Sequence, residues 1–414
     1  MRELSPNQRQ ALLRLIVERR FDRALVTLYV LGEALDAGAP GRQEHRYVVW
    51  RRTETNAATG QLGPDDLNEG DLDLWNPVVG ALQLLRALDE RLFGDWQTAS
   101  EQVRRVAALD GSEHWIVRKH TPPPTREDNL VGLAGQLRHF RVVPAVIGDF
   151  QIEIVPAPLA LDARLRLAVR QEPQAFIGHF TSGVAVQWGR SWSGEVQALG
   201  LQDEVLQLQA ALALLKQAAG AVFFVLPECV APRAMRQKLG AAIAAMGEEA
   251  PLLSLPGSFH DPMPDCTPAF ENRCELRDYR GTTLIDHAKT RMAAVHHGQD
   301  AEHIHLCNTL HILVTAAGTI GIAICLEFSH PSGDCYQAWS RIGPQWMLVP
   351  SMGEASTLDL HKGVAKQLVD THRTNCLIAN QSPSGSGLHG GFAYWAAGMQ
   401  RNVNQPFRID LTVL

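Results

Sequence analysis

Three residues carry side chains whose chemistry makes sense together: Glu228, Lys289 and Cys325, in that order, each ending a segment that reads as a buried strand or the turn leaving one. A carboxylate, an ammonium and a thiol at one point are equipped for covalent attack on a carbon bound to nitrogen. Glu228 closes AVFFVLPE, in which Ala221 to Leu226 is apolar and β-rich and Pro227 stops the run. Lys289 closes CELRDYRGTTLIDHAK, two strand-like stretches around a turn at Gly281. Cys325 ends GTIGIAIC, a Gly-rich apolar run of the kind that lies buried on both faces of a sheet. Open α/β sheets place their chemistry at such strand ends.

Length and composition agree with an enzyme. A chain of 414 residues with 45% apolar residues can fill a large core or two ordinary ones. A net charge of -6 offers no footprint for nucleic acid. No apolar run has the length of a membrane span, and MRELSPNQRQ lacks the shape of a signal peptide, so a cytoplasmic location is expected. The seven cysteines all fall in the second half with no CxxC pair, which suits reduced thiols better than bridges.

The elements that must position the three residues change character along the chain. Residues 1–145 read as a helical module: Ser5-Pro6-Asn7-Gln8 opens a helix, and further helical patterns cover Ala24 to Leu35, Val78 to Leu92 and Trp96 to Leu109. TPPPTRED, over 121–128, reads as a Pro-rich linker. RVVPAVIGDFQIEIVP looks like a hairpin about Gly148-Asp149. From about Gly183 strands and helices alternate, which predicts a layered α/β domain over 146–414.

At these residues the chain resembles the nitrilase superfamily of carbon-nitrogen hydrolases, over roughly its last 230 residues. The family's first strand looks like Val184-Ala185-Val186-Gln187, and its helix, strand and glutamate look like EVLQLQAALALLKQAAGAVFFVLPE. LLSLPGSF, the stretch from Glu271-Asn272-Arg273 through Gly281 to Lys289, GIAIC, MLVPS and LVDTHRTNCLIAN follow in the family's order. The resemblance implies a four-layer α-β-β-α sandwich and hydrolysis of a non-peptide C–N bond, in a small amide or nitrile, through a thioester and without a cofactor. It implies a homodimer or larger assembly. In it Cys325 is the nucleophile, Glu228 the proton carrier, and Lys289 with the backbone N–H of Leu326 the oxyanion stabiliser. Members carry a further glutamate between lysine and cysteine; Glu302 is the candidate by exclusion, against a solvated loop residue whose context HHGQDAEHIHL departs from the family's wording.

Other features have two readings each. Cys229, beside Glu228, is a competing thiol read as structural. Glu327, two residues past Cys325, leans towards the nitrile-hydrolysing branch or satisfies local backbone donors. His287, His296, His297, His303, His305 and His311 raise a metal site, but their spacing matches none, and a polar pocket mouth is the preferred reading. Tryptophans such as Trp188, Trp192 and Trp395 read as packing, and QSPSGSGLHGG reads as a loop, since it lacks the GK[ST] ending of a phosphate loop. The helical module, which resembles no family, suggests a protein partner. The alternative function is therefore a component of a multi-protein system, in which the hydrolase-like domain is an accessory or interaction module with restricted or lost activity.

Overall fold

Leu12, Leu15 and Ile16 recur at helical spacing and form the buried stripe of α1 (Pro6–Val17) in a computed structural model. It describes residues 6–37, 79–97, 102–119, 137–169, 171, 173–181, 183–191, 194–263, 270–292, 294–295, 300–328, 333–382, 390–394, 400–402 and 407–410. The linker at 121–128, Cys266, His296, His297, Trp192, Trp395 and most of QSPSGSGLHGG lie outside them. The chain divides into two units, Met1–Val146 and Ile147–Leu414. Among the described residues no helix is long and apolar enough to cross a membrane.

In the first unit α1 is followed by α2 (Phe21–Ala37) and α3 (Val79–Gln97). An antiparallel sheet of β1 (Val103–Ala107), β2 (Glu113–Arg118) and β3 (Phe140–Pro144) follows. Leu25, Leu88, Trp96, Ile116 and Phe140 build its core. The helix expected over Trp96 to Leu109 is therefore corrected: α3 stops at Gln97, and VRRVA pairs with EHWIVR as β1. Its valines favour a pleated surface, and a neighbouring strand was available to satisfy its backbone. Asp89 of α3 ties the sheet in, accepting from the N–H groups of Arg138, His139 and Phe140 at 2.7, 2.9 and 3.1 Å.

The border carries β4 (Val146–Ile147) and β5 (Phe150–Pro156), a hairpin turning at Gly148, whose φ of 58° suits glycine. Then come α4 (Leu159–Ala168), β6 (Gln174–Ile177), β7 (Val186–Arg190), β8 (Val196–Leu201) and α5 (Glu204–Gln217), the last capped by the Asp203 carboxylate. The chain continues through β9 (Phe223–Val225), α6 (Arg233–Met246), β10 (Leu253–Leu255), β11 (Ser258–Pro262), β12 (Phe270–Asp278) and β13 (Thr283–Ala288). After β14 (Ala294–Val295) and β15 (Asp300–Ala301) come β16 (Thr309–Thr315), β17 (Gly318–Ile322), α7 (Asp334–Ile342), β18 (Trp346–Met352) and α8 (Ala355–His372). β19 (Asn375–Gln381), β20 (Phe392–Tyr394), β21 (Gln400–Asn402) and β22 (Phe407–Asp410) end it.

One sheet runs β11-β12-β10-β9-β6-β22 with β13 paired to β12; another runs β21-β20-β19-β18-β17-β16-β5-β4. Because successive side chains of a strand point to opposite faces, Phe223 and Val225 of β9 enter one core and Phe224 another. The first core lies between the sheets, where Phe223, Leu253 and Leu276 meet Leu313, Ile322, Leu348 and Leu377. The second packs Phe176 and Phe224 under Leu215 of α5 and Leu239 and Ile243 of α6. On the far side α7 and α8 pack together and α8 lies on β19 and β20. The result is the four-layer α-β-β-α sandwich.

One part of the expected strand order is corrected. VAVQ is not a strand of either large sheet: among the described residues Val186–Arg190 pairs with β8 alone, and the strand beside β9 is β6. QAFI is four residues without alternation and carries little periodic signal, whereas VAVQ alternates as a hairpin with one exposed face does.

Candidate active site

Hydrogen bonding at the strand ends converges on β18. After β9 the chain passes Pro227, and the Glu228 N–H donates to the Ser351 carbonyl at 3.3 Å. The Met352 N–H donates to Glu228 Oε2 at 3.0 Å. The Met352 carbonyl in turn faces Cys325, whose thiol donates to it at a sulfur distance of 3.8 Å. Consecutive peptide groups of one strand thus hold the carboxylate and the thiol.

Lys289 leaves β13 with its N–H donating to the Asn272 carbonyl of β12 at 2.8 Å. Its side chain is wholly buried, and Nζ donates to Glu228 Oε1 at 2.7 Å and to Glu302 Oε2 at 2.8 Å. Burial works to strip the proton from this amine, but the two carboxylates hold its pKa well above the usual lysine value. Glu302 follows β15, bridged to Val196 of β8, and the next N–H, of His303, donates to the Val196 carbonyl at 2.7 Å. Burial acts to raise the Glu302 pKa, and Lys289 with His260 more than reverses this, bringing it from 4.5 to about 2. Glu302 is buried, so the solvated-loop reading is overturned.

Cys325 follows β17 and opens a 3-10 turn, Cys325–Phe328, in which Leu326 is the second residue. Its φ of 47° is left-handed, a strained value for a side-chain-bearing residue. Burial first, then the Glu228 charge, push the thiol up to about 12, with Lys289 and the Ser351 hydroxyl acting against them. The resting group is therefore a thiol. Cys229 is also left-handed, at 55°, and burial followed by the Glu228 charge raises its thiol well above the ordinary value.

Glu327 satisfies local donors. Its carboxylate accepts from the N–H groups of Ile324 and Thr290 and from His287 Nε2 at 3.0 Å, tying the turn at Cys325 to the segment leaving Lys289. His287 Nδ1 meets His311 Nδ1 at 3.1 Å. His303 and His305 lie in irregular backbone rather than on a strand, and His303 Nδ1 reaches Glu195.

Four residues of this cluster escaped sequence reading. Asn272 Nδ2 donates to Glu228 Oε1 at 2.8 Å and to Glu302 Oε1 at 3.3 Å, joining the carboxylates. His260 Nδ1 accepts from the Ala198 N–H at 2.9 Å, so its proton sits on Nε2, where Glu302 Oε1 accepts it at 3.1 Å. Ser351 and His361 stand behind the sulfur. Asn272 and Ser351 lay inside matched motifs; His260 in GSFHDP and His361 in TLDLHKG gave no signal, because a lone histidine beside other polar residues matches no catalytic spacing and is more often a satisfied structural residue.

No family model and no curated protein matches the chain. Among solved structures, a mutant amidase from Nesterenkonia sp. AN1, with the acetamide moiety of fluoroacetamide covalently added at its active site cysteine, is 16% identical, with a TM-score of 0.43 over 58% of this chain and 90% of that chain. Saccharomyces cerevisiae Nit3, a member of branch 10 of the nitrilase superfamily, is also 16% identical, with a TM-score of 0.42 over 59% and 92% of the two chains. An amidase from Nesterenkonia sp. is 17% identical, with a TM-score of 0.42 over 58% and 90%. The C-terminal part is similar to nitrilase-superfamily structures. The similarity leaves the first unit uncovered.

Proposed function

We propose that Ile147–Leu414 form a cysteine-dependent hydrolase of a non-peptide carbon-nitrogen bond, in an amide or nitrile, working through a thioester at Cys325. The observation that carries it is the buried group of Glu228, Lys289 and Glu302 gathered at strand ends beside a thiol in a strained backbone conformation.

For an amide, Glu228 takes the thiol proton as sulfur attacks the carbonyl carbon; the C–S bond forms and the π pair moves to oxygen. Lys289, whose charge is secured by two carboxylates, and the Leu326 N–H face that oxyanion. As the oxyanion collapses, the C–N bond breaks and Glu228 returns its proton to the leaving amine. Water then gives a proton to Glu228 and attacks the thioester, and sulfur leaves with that proton. A nitrile first gives a thioimidate as sulfur adds to its carbon and nitrogen takes the thiol proton. Water then adds to that carbon, and the C–N bond breaks with ammonia leaving on a proton from Glu228, which gives the same thioester. A thiol held up to about 12 makes the base essential, because little thiolate forms without it. Glu302, Asn272 and His260 fix the Glu228 carboxylate and the ammonium in place.

The test is ammonia release from a panel of primary amides and nitriles by the full chain. Turnover should vanish in Cys325→Ala and fall by about a hundredfold or more in Glu228→Gln. Turnover that persists in Cys325→Ala would sink the reading.

A second reading, a component of a multi-protein system, is favoured by the separate core of Met1–Val146. Removing residues 1–120 should then abolish recovery of a partner or of a homo-oligomer by size-exclusion chromatography with light scattering. An unchanged profile would overturn it.

A further inference from the structure

Behind the sulfur lies a buried hydrogen-bond chain that the proposed hydrolysis does not use. Ser351 Oγ of β18 donates to Cys325 Sγ at 3.5 Å and lies 2.9 Å from His361 Nε2 of α8. Both Ser351 and His361 are wholly buried. A serine hydroxyl has one proton, so it can donate to only one of these neighbours. The bond to sulfur decides which: Ser351 Oγ is the donor to Cys325 Sγ. With its one proton directed there, the hydroxyl can only accept from His361, which places the ring proton on Nε2, and among the described residues no partner meets hydrogen-bond geometry at His361 Nδ1. Burial keeps the ring neutral, lowering its pKa to about 4, so no extra charge enters the site.

We propose that Ser351 and His361 are positioning residues for the Cys325 thiolate: His361 Nε2–H donates to Ser351 Oγ, and the Ser351 hydroxyl donates to sulfur. In the resting thiol this bond is weak and the S–H points to the Met352 carbonyl. When the proton moves to Glu228, the same hydroxyl meets a negative sulfur, and a hydrogen bond to a charged atom is about twice as strong. The chain therefore favours the thiolate over the thiol and holds sulfur on the side opposite the attacked carbon. Among the described residues, the titratable groups facing Cys325 are Glu228 after β9, Cys229 beside it, Lys289 after β13 and Glu302 after β15, and the charge acting on His361 is Lys289.

This inference rests on Cys325 being the nucleophile, and one experiment separates the two. The full-length protein is alkylated with iodoacetamide across pH 5–10 (~five units, below the range in which a thiol held up to about 12 ionises without its base), and each cysteine peptide is followed by mass spectrometry. Faster labelling of Cys325 than of Cys307, the half-buried thiol, tests the nucleophile; labelling no faster overturns both readings. Ser351→Ala should then slow Cys325 labelling about tenfold at every pH in this range, with thermal unfolding little changed. His361→Leu should slow it by less, His361→Gln, which keeps an N–H donor, should restore it, and the double variant should be no slower than Ser351→Ala. A Ser351→Ala profile that superimposes on the parent's overturns the chain while leaving the nucleophile intact.

Discussion

Glu302 Oε2 lies 2.8 Å from Lys289 Nζ, and both side chains are buried. The same ammonium meets Glu228 at 2.7 Å, so one positive charge is shared by two carboxylates away from water. Such a cluster exists only while each member compensates the others, and that dependence makes it testable.

Removing the cation should be expensive. Lys289→Met leaves Glu228 and Glu302 facing each other without a counter-charge, and stability should drop by about 3–5 kcal/mol in urea unfolding. A midpoint equal to the parent's would mean that the cluster is not closed as described.

Acid should destabilise the fold in two stages. His311 and His361 are held by burial at about 4 rather than 6.5, so the unfolded chain takes up protons first and stability falls as pH drops from 6.5 towards 4. Glu302, at about 2 against 4.5, contributes stability that is complete above 4.5 and lost between 4.5 and 2. His361→Gln should remove part of the upper stage, at most about 3 kcal/mol, without touching the lower one. Unfolding free energy measured from pH 7 to 2 (~five units, spanning both stages) checks this, and a variant with the parent's slope above pH 4.5 contradicts it.

Glu327→Ala should loosen the turn at Cys325. The substitution strands the Ile324 and Thr290 N–H groups and His287, each unmet buried donor costing about 1–3 kcal/mol. Thermal unfolding should move down, and hydrogen exchange should speed up at Ile324 and Thr290 before the rest of the sheet. Unchanged protection there would refute the tie.

Gly257 supports the Glu228 turn from β10. Its φ is 84°, and a Cβ there would lie 2.5 Å from the Pro227 carbonyl oxygen. Gly257→Ala should cost about 1–3 kcal/mol and displace the residue before Glu228, lowering turnover together with stability. Gly194→Ala, also at positive φ but with open space around it, is the control: strain alone, with turnover kept.

What the residues could announce was limited by distance along the chain. AVFFVLPE, GTIGIAIC and MLVPS announce themselves because a strand buried on both faces must be a short continuous apolar run, and its polar terminal residue stands out. β1 and β6 were lost because each is short: VRRVA sits after a strong helical pattern, and QAFI has no polar terminus to mark it. The large apolar runs thus fix the sandwich and the order Glu228, Lys289, Cys325.

Tertiary structure alone decided how those ends are joined. Glu302 lies in a stretch without periodicity, and its burial follows from a bridge to Val196 and an imidazole on β11. Glu327, whose chemistry left two readings open, became a tie between backbone segments. His361 acquires a place behind the sulfur because α8 lays its buried face on the sheet. Local sequence determines periodicity and turn chemistry, since those depend on neighbours in the chain; which polar atoms compensate one another depends on strand register and layer packing, which no single segment encodes.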